Sequence, residues 1–161
     1  MIRKAQEKDI KAITGLLGQV LLIHHNMRPD LFKERGAKYT EEQLREIIND
    51  PMTPVFVYVD EEGNVLGHLF TRISHNGESS GTYAYTTMYL DDICIDERHR
   101  HEAIGTSLFL HAEEYARYIG AHNITSHVWD GNDKSMSLCH KMGMKPQKTV
   151  MEKTLDADPA A

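Results

Sequence analysis

The chain has 161 residues, with 18 basic and 24 acidic side chains and a formal net charge of −6. This length is typical of one domain, and we expect a single domain over residues 1–155 with a flexible tail over residues 156–161. The negative charge disfavours nucleic acid and anionic membranes as partners. Two cysteines, Cys94 and Cys139, without a CxxC pair or a signal peptide, favour a soluble protein of the cytoplasm, and no apolar run is long enough to span a membrane.

Two helices are predicted after a short first strand over residues 1–5. Apolar side chains recur at helical spacing over residues 8–25, a pattern typical of an amphipathic helix. Thr40 followed by Gln43 matches the start of a capping box, which predicts a second helix that runs to about Asn49.

Three extended segments follow these helices. Residues 55–59 are β-branched and aromatic, residues 61–64 are turn formers, and residues 65–73 are extended again, which together predict a β-hairpin. A longer strand is predicted over residues 83–95, where a charged run over residues 96–100 ends it.

The second half of the chain continues as helix, strand, helix and strand. Apolar side chains at every third or fourth position predict a helix over residues 103–118, followed by a strand over 124–129, a short helix over 132–142 and a last strand over 144–155. The predicted order is βααβββαβαβ, a mixed α/β fold with a central sheet flanked by helices. Its strand-helix-strand unit requires a right-handed crossover.

The segment over residues 100–106, Arg-His-Glu-Ala-Ile-Gly-Thr, lies between a predicted strand end and a predicted helix start. The first amides of a helix have no intrahelical partner and its dipole favours an anion, so this position suits a phosphate. Here the sequence resembles the acetyl-coenzyme A loop of the GNAT family of acetyltransferases, with Arg100, Ala103 and Gly105 in the places of the pattern. Ala103 replaces the usual glycine, and a helical φ would accommodate it.

A second segment resembles the closing signature of the same family. Asn132, Ser135, Leu138 and Gly143 fall in register with it, and Cys139 stands where the family usually has a tyrosine. The two segments have the order and spacing of the family, and the resemblance extends loosely over residues 1–155. It therefore implies the GNAT fold and acetyl-coenzyme A as the acyl donor.

The resemblance also implies where the coenzyme binds. Backbone amides of the loop would hold the pyrophosphate, and the strand before the loop would separate from its neighbour so that the pantetheine arm can bond its backbone. The implied coenzyme-binding residues are Ile93, Cys94 and Ile95 in that strand, Arg100, His101, Glu102, Ala103, Ile104, Gly105 and Thr106 in the loop, and Asn132 and Ser135 after it.

Transfer to a primary amine needs a group that accepts a proton, because such an amine is mostly protonated near neutral pH. Asp91 and Asp92 precede the loop, and only one of them can face the acetyl group unless a bulge intervenes. His127 lies across the expected separation of strands, and histidine is suited to act as a base near neutrality. The alternatives are solvated or helix-capping carboxylates, and a histidine that only packs or lies at the surface.

Cys139 leaves two interpretations open. Its thiol could protonate the departing coenzyme thiolate in place of the usual tyrosine, or it is a small packing residue. The histidines at positions 24–25 and 99–101 lack the spaced ligand set of a metal site, so no metal is expected.

The analysis thus predicts an N-acetyltransferase that moves an acetyl group from acetyl-coenzyme A to a primary amine by direct attack in a ternary complex. The alternative is a non-catalytic module that senses acetyl-coenzyme A. The acceptor would be a small-molecule or peptide amine, read by the first half of the chain. There the helix end at His24 and His25, the loop over residues 28–30 and the second helix would cover the cleft. The resemblance also allows a homodimer.

Overall fold

The computed structural model describes residues 1–155 as a mixed α/β fold, which confirms the predicted fold class. Its elements are β1 (Ile2–Lys4), α1 (Ile10–Met27), α2 (Glu41–Asn49), β2 (Val55–Val59), β3 (Val65–Asn76), β4 (Tyr85–Ile95), α3 (Ile104–Tyr118), β5 (Asn123–Ser126) and α4 (Asp133–Lys141). The tail predicted over residues 156–161 lies outside the described residues. Within residues 1–155, no helix is both long and apolar enough to cross a membrane.

The strands form a five-stranded sheet in the order β1-β2-β3-β4-β5. The first four strands pair antiparallel with their neighbours, and the predicted hairpin is formed by β2 and β3. Strand β5 joins β4 in parallel, so α3 is the connection that the sequence analysis expected between two parallel strands.

Several element ends follow from adjacent residues, as predicted. The hydroxyl of Thr40 accepts a hydrogen bond from the Gln43 amide at 3.1 Å, and the Gln43 side chain accepts one from the Thr40 amide at 2.9 Å. This capping box starts α2. Gly120 and Gly143 follow α3 and α4 with φ values of +70° and +78°, a left-handed conformation that glycine adopts without a steric penalty.

Helices cover both faces of the sheet. Because neighbouring strand residues point to opposite faces, β2 and β3 contribute side chains to both cores. The core under α1 and α2 includes Ile13, Leu17, Leu44, Val57 and Phe70. The core under α3 includes Phe56, Leu69, Met88, Leu90 and Leu108.

Two predicted strands differ from the structure. Strand β5 ends at Ser126 rather than at residue 129, because its ladder with β4 stops there. The last strand, predicted over residues 144–155, is wrong: residues 145–155 are all exposed and no described strand pairs with them. Strand propensity without a ladder partner does not make a strand, since it mostly reflects packing against neighbours.

Candidate active site

Strands β4 and β5 separate at one end of the sheet. Their ladder runs from Thr87 opposite Asn123 to Leu90 opposite Ser126 and stops, although β4 continues beside β3 as far as Ile95. The backbone groups of residues 91–95 that face away from β3 therefore have no ladder partner in the described chain. The separation expected from the sequence is present, and it opens toward the loop before α3.

A β-bulge in β4 places the two aspartates together. Phe70 pairs with Asp92 and Thr71 pairs with Leu90, so Asp91 is the extra residue. The bulge reverses the alternation of side chains: Leu90 packs under α3, whereas Asp92 turns toward the face that α1 covers. Both carboxylates consequently reach the same side of the sheet. The sequence analysis allowed this arrangement only if a bulge intervened.

The two carboxylates share an ammonium group from a distant loop. Lys38, between α1 and α2, places its Nζ 3.1 Å from Oδ2 of Asp92 and 3.7 Å from Oδ2 of Asp91. The Asp92 side chain is only 3% exposed and the Asp91 side chain is 34% exposed. Asp92 is therefore an interior charge, and Asp91 is the carboxylate that an incoming molecule can touch.

A buried histidine lies behind Asp92. His68, in β3, is fully buried, and its Nε2 is 3.7 Å from Oδ1 of Asp92. This separation is too long for a hydrogen bond, and neither ring nitrogen of His68 has a hydrogen-bond partner among residues 1–155. His68 is thus a buried polar group that is left unpaired beside an ionised carboxylate.

The electrostatics keep the carboxylate and the ammonium charged near neutral pH. Burial by itself would raise the pKa of Asp92, but His68 and Lys38 outweigh it, and the pKa is lowered. Burial would lower the pKa of Lys38, but Asp92 and Asp91 outweigh it, and the pKa is raised. The stabilisation from this pair is lost only as the pH falls through the lowered value of Asp92 or rises through the raised value of Lys38.

The end of α1 lies close to the carboxylates. Burial lowers the pKa of His24, which also lies within the fields of Asp92 and Lys38. The ring of Phe32 is 5.0 Å from that of His24 and 5.5 Å from that of Trp129. These rings connect the loop after α1 to the segment after β5.

His127 follows immediately after β5, with an exposed side chain. Its ring lies 4.9 Å from the ring of Tyr89, which belongs to the strand that carries Asp91. Burial raises the pKa of Tyr89, and the charge of Asp91 raises it further. Tyr89 therefore has His127 and Asp91 as neighbours at the mouth of the opening between β4 and β5.

The loop before α3 has the features of an anion site. Helix α3 has no side-chain N-cap and no acidic residue in its first turn, and its first backbone bond runs from the Ser107 amide to the Ala103 carbonyl at 3.0 Å. The backbone N–H groups of residues 104–106 come before that bond in the chain and have no hydrogen-bond acceptor within the helix. His101 has φ +74° and Ala103 has φ +59°, so both are in the left-handed conformation. Where left-handed and right-handed residues alternate, successive backbone N–H groups point to the same side and form a concave site that binds anions.

The conformation of Ala103 corrects one expectation. A helical φ was expected to accommodate alanine there, but the residue is left-handed, with φ 59° and ψ 15°. This conformation costs an L-residue roughly 1–2 kcal/mol, which is a physical reason for the glycine that the family usually has.

We expect Ala103→Gly to raise the free energy of unfolding by up to about 1 kcal/mol, because the relief of strain exceeds the entropy that glycine adds to the unfolded chain. Ala103→Val is expected to lower it, since a β-branched residue at positive φ is disfavoured. Urea denaturation measures both. As a control, Ala12→Gly at a right-handed helical position of α1 should lose stability. A loss for Ala103→Gly as well would contradict the left-handed assignment.

Helix α4 lies beside the start of α3. The Asn132 side chain accepts a hydrogen bond from the Ser135 amide at 3.3 Å, so these residues cap the helix. A Cβ at Gly105 would lie 3.6 Å from Leu138 of α4 and 3.9 Å from Ile95 of β4. Cys139 is half-buried, and burial raises the pKa of its thiol. Coenzyme contacts of Asn132 and Ser135, and proton donation by Cys139, stay predictions.

The other implied coenzyme residues are distributed around the opening. Ile93 and Ile95 pack under α3, and Cys94 is buried against α1, where burial raises its pKa to about 12. The side chain of Cys94 is therefore not placed to contact a ligand. In the loop, Nδ1 of His99 is 3.3 Å from a Glu102 carboxylate oxygen, and Thr106 Oγ1 accepts a hydrogen bond from Lys141 at 3.2 Å.

Three residues of the site were missed by the sequence analysis. Lys38 lies in a loop with no motif, and nothing local relates it to β4. Tyr89 was treated only as part of a strand. His68 offered a weak signal, because it is a polar residue among apolar neighbours in β3. Within residues 1–155, no group of three or more His, Cys, Asp or Glu side chains is arranged so that it could hold a metal ion.

Solved structures with this fold include acetyltransferases. A mutant of the BH1408 protein from Bacillus halodurans has 26% sequence identity and a TM-score of 0.92, covering 96% of this chain and 99% of that chain. An aminoglycoside N-acetyltransferase in complex with CoA has 16% identity and a TM-score of 0.70, covering 98% and 100%. An aminoglycoside acetyltransferase from an uncultured soil sample, in complex with sisomicin, has 16% identity and a TM-score of 0.67, covering 97% and 96%.

No curated protein is similar enough in sequence to count as a relative. The model of the acetyltransferase (GNAT) family matches residues 21–144, a range that contains β4, β5 and the loop before α3. This match covers more than half of the chain, and the fold agrees with it. The chain belongs to the GNAT family of acetyltransferases.

Proposed function

We propose that this protein is an acetyl-coenzyme A-dependent N-acetyltransferase that acts on a cationic primary amine. The observation that carries this proposal is the opening between β4 and β5, which leads to the uncapped N-terminus of α3. Such an N-terminus suits a pyrophosphate. The backbone groups of residues 91–95 that face away from β3 suit the amide groups of a pantetheine arm.

The coenzyme would enter from the α3 side and the acceptor from the α1 side. The amides of residues 104–106 would hold the pyrophosphate, and the thioester would then lie near the carboxylates at the bulge. Asp91 would contact the acceptor ammonium, since its carboxylate is partly exposed, and buried Asp92 would fix the charge beside it. His127 would take the proton, because its exposed ring can pass it to solvent.

The reaction in this proposal is a direct transfer. After deprotonation, the amine nitrogen attacks the thioester carbonyl, the C–N bond forms and the C–S bond breaks. The coenzyme leaves as a thiolate and takes up a proton, for which the Cys139 thiol is our proposed donor. Orientation within one ternary complex supplies much of the rate, because it replaces a bimolecular encounter.

The test is a thiol-release assay with acetyl-coenzyme A and a panel of amines. The panel should contain simple alkylamines, diamines, an aminoglycoside and a peptide with a free N-terminus. We expect turnover with at least one cationic primary amine, and a product heavier by one acetyl group. Coenzyme binding by calorimetry without turnover on any amine would favour the sensor alternative. No coenzyme binding at all would contradict both functions.

A further inference from the structure

The carboxylate pair at the bulge already holds an ammonium group. Lys38 reaches it from the loop between α1 and α2, with Nζ 3.1 Å from Asp92 and 3.7 Å from Asp91. The same Nζ lies 5.4 Å from the centre of the Tyr39 ring. Carboxylates and an aromatic face are the groups that recognise ammonium ions. The site thus has the chemistry of an ammonium pocket and is occupied by a side chain of the protein.

We propose that this pocket is the ammonium subsite of the acceptor, and that Lys38 fills it in the free protein and is displaced by the acceptor. The identity of the incoming ammonium as a substrate rests on the proposed function. The existence of a pocket in which one ammonium group can replace another does not depend on the proposed function.

His68 is a second and independent observation that points to exchange at this position. It is fully buried, neither ring nitrogen has a hydrogen-bond partner among residues 1–155, and Nε2 faces Asp92 Oδ1 at 3.7 Å. A buried imidazole without a partner is costly. A small rotation of the Asp92 carboxylate would bring its Oδ1 within hydrogen-bond distance of Nε2 of His68. Asp92 therefore has a second partner available while one ammonium leaves and another arrives.

Burial of Asp92 decides which molecules can replace Lys38. An ionised carboxylate that is 3% exposed is strongly disfavoured without a counter-charge. A neutral or anionic molecule that pushed Lys38 aside would leave Asp92 in that state, whereas a primary ammonium would restore the pair. Lys38 itself can leave, because its side chain is 36% exposed. The predicted substrate class is therefore the cationic primary amines.

The inference predicts that a small ammonium ion rescues a variant without the Lys38 side chain. In Lys38→Ala, methylammonium chloride should raise the melting temperature in a saturable way, because a ligand that binds only the folded state stabilises it. Sodium chloride and tetramethylammonium chloride at the same ionic strength are the comparison salts, since neither supplies N–H donors. In the parent protein and in Lys33→Ala, which alters an exposed lysine of the same loop, Lys38 competes with methylammonium, so the methylammonium effect should be much smaller and should need higher concentrations.

Further variants keep this test decisive. Lys38→Met retains the aliphatic part of the side chain beside Tyr39. This variant is used in the same methylammonium titration if Lys38→Ala does not fold. Adding Asp92→Asn to either variant should abolish the methylammonium effect, because Asp92 is the carboxylate that the ammonium donates to. An equal response of parent and variant, or no response in either Lys38 variant, would overturn the inference.

Kinetics with an active amine give a second readout. If the pocket is free of Lys38 in about one molecule in ten, Lys38→Ala should lower the acceptor KM by about tenfold. An unchanged or raised KM would count against displacement. If the parent turns over an amine but methylammonium does not rescue the Lys38 variants, only this inference is rejected. If methylammonium rescues the Lys38 variants but the parent turns over no amine, only the proposed function is rejected.

Discussion

His127→Ala is expected to lower kcat by about 10²-fold or more, while the affinity for acetyl-coenzyme A stays nearly unchanged. A positioned general base contributes about 10²- to 10⁴-fold, and this ring lies at the mouth of the opening, 4.9 Å from Tyr89. Activity of the parent should rise with pH as the acceptor ammonium loses its proton. Steady-state kinetics of the parent and of His127→Ala measure the change in kcat, and calorimetry measures the coenzyme affinity.

Asp91→Asn is the paired variant, because it removes a charge that we assign to acceptor binding. We expect it to raise the acceptor KM more than it lowers kcat. His122→Ala is a matched control: this exposed histidine faces Tyr85 at 6.0 Å, at the opposite end of β5, and its loss should leave kcat unchanged. If His127→Ala keeps near-parental turnover while Asp91→Asn loses it, Asp91 is the base and our assignment is wrong.

Gly105→Val should weaken acetyl-coenzyme A binding by about tenfold to a hundredfold. A Cβ at this position points into the gap between Leu138 and Ile95, at 3.6 Å and 3.9 Å, so alanine fits but the branches of valine do not. Overfilling this packed contact costs about 1–3 kcal/mol, which corresponds to this loss of affinity if the strain is relieved by moving the loop amides away from the coenzyme. Calorimetry measures the affinity, and thermal unfolding checks the fold.

Two glycine variants calibrate this result. Gly105→Ala should retain affinity within a few-fold, since its methyl group makes only ordinary contacts. Gly15→Val in α1, where a Cβ meets nothing within 4 Å, should leave coenzyme affinity unchanged. Parental affinity in a folded Gly105→Val protein would contradict the proposed role of the loop in coenzyme binding.

The features that could be predicted from the sequence depend on residues close together in the chain. The capping box at Thr40, the glycines after α3 and α4, and the hairpin of β2 and β3 are local, because their hydrogen bonds and backbone conformations join near neighbours. The coenzyme loop and the closing signature are short segments of the same kind. They were enough to identify the family, which the match over residues 21–144 confirms.

The arrangement of the acceptor side depends on contacts between segments far apart in sequence. The bulge at Asp91 arises from the register of β3 against β4. The residues of β4 by themselves do not determine that register, because it depends on both strands. Lys38 reaches Asp92 from a loop with no regular structure, and His68 is brought behind it by the adjacent strand. Tertiary packing likewise shortened β5, left residues 144–155 without a ladder and turned Ala103 left-handed. Charge, burial and strain at the site follow from these long-range contacts, because each depends on what surrounds a residue in space.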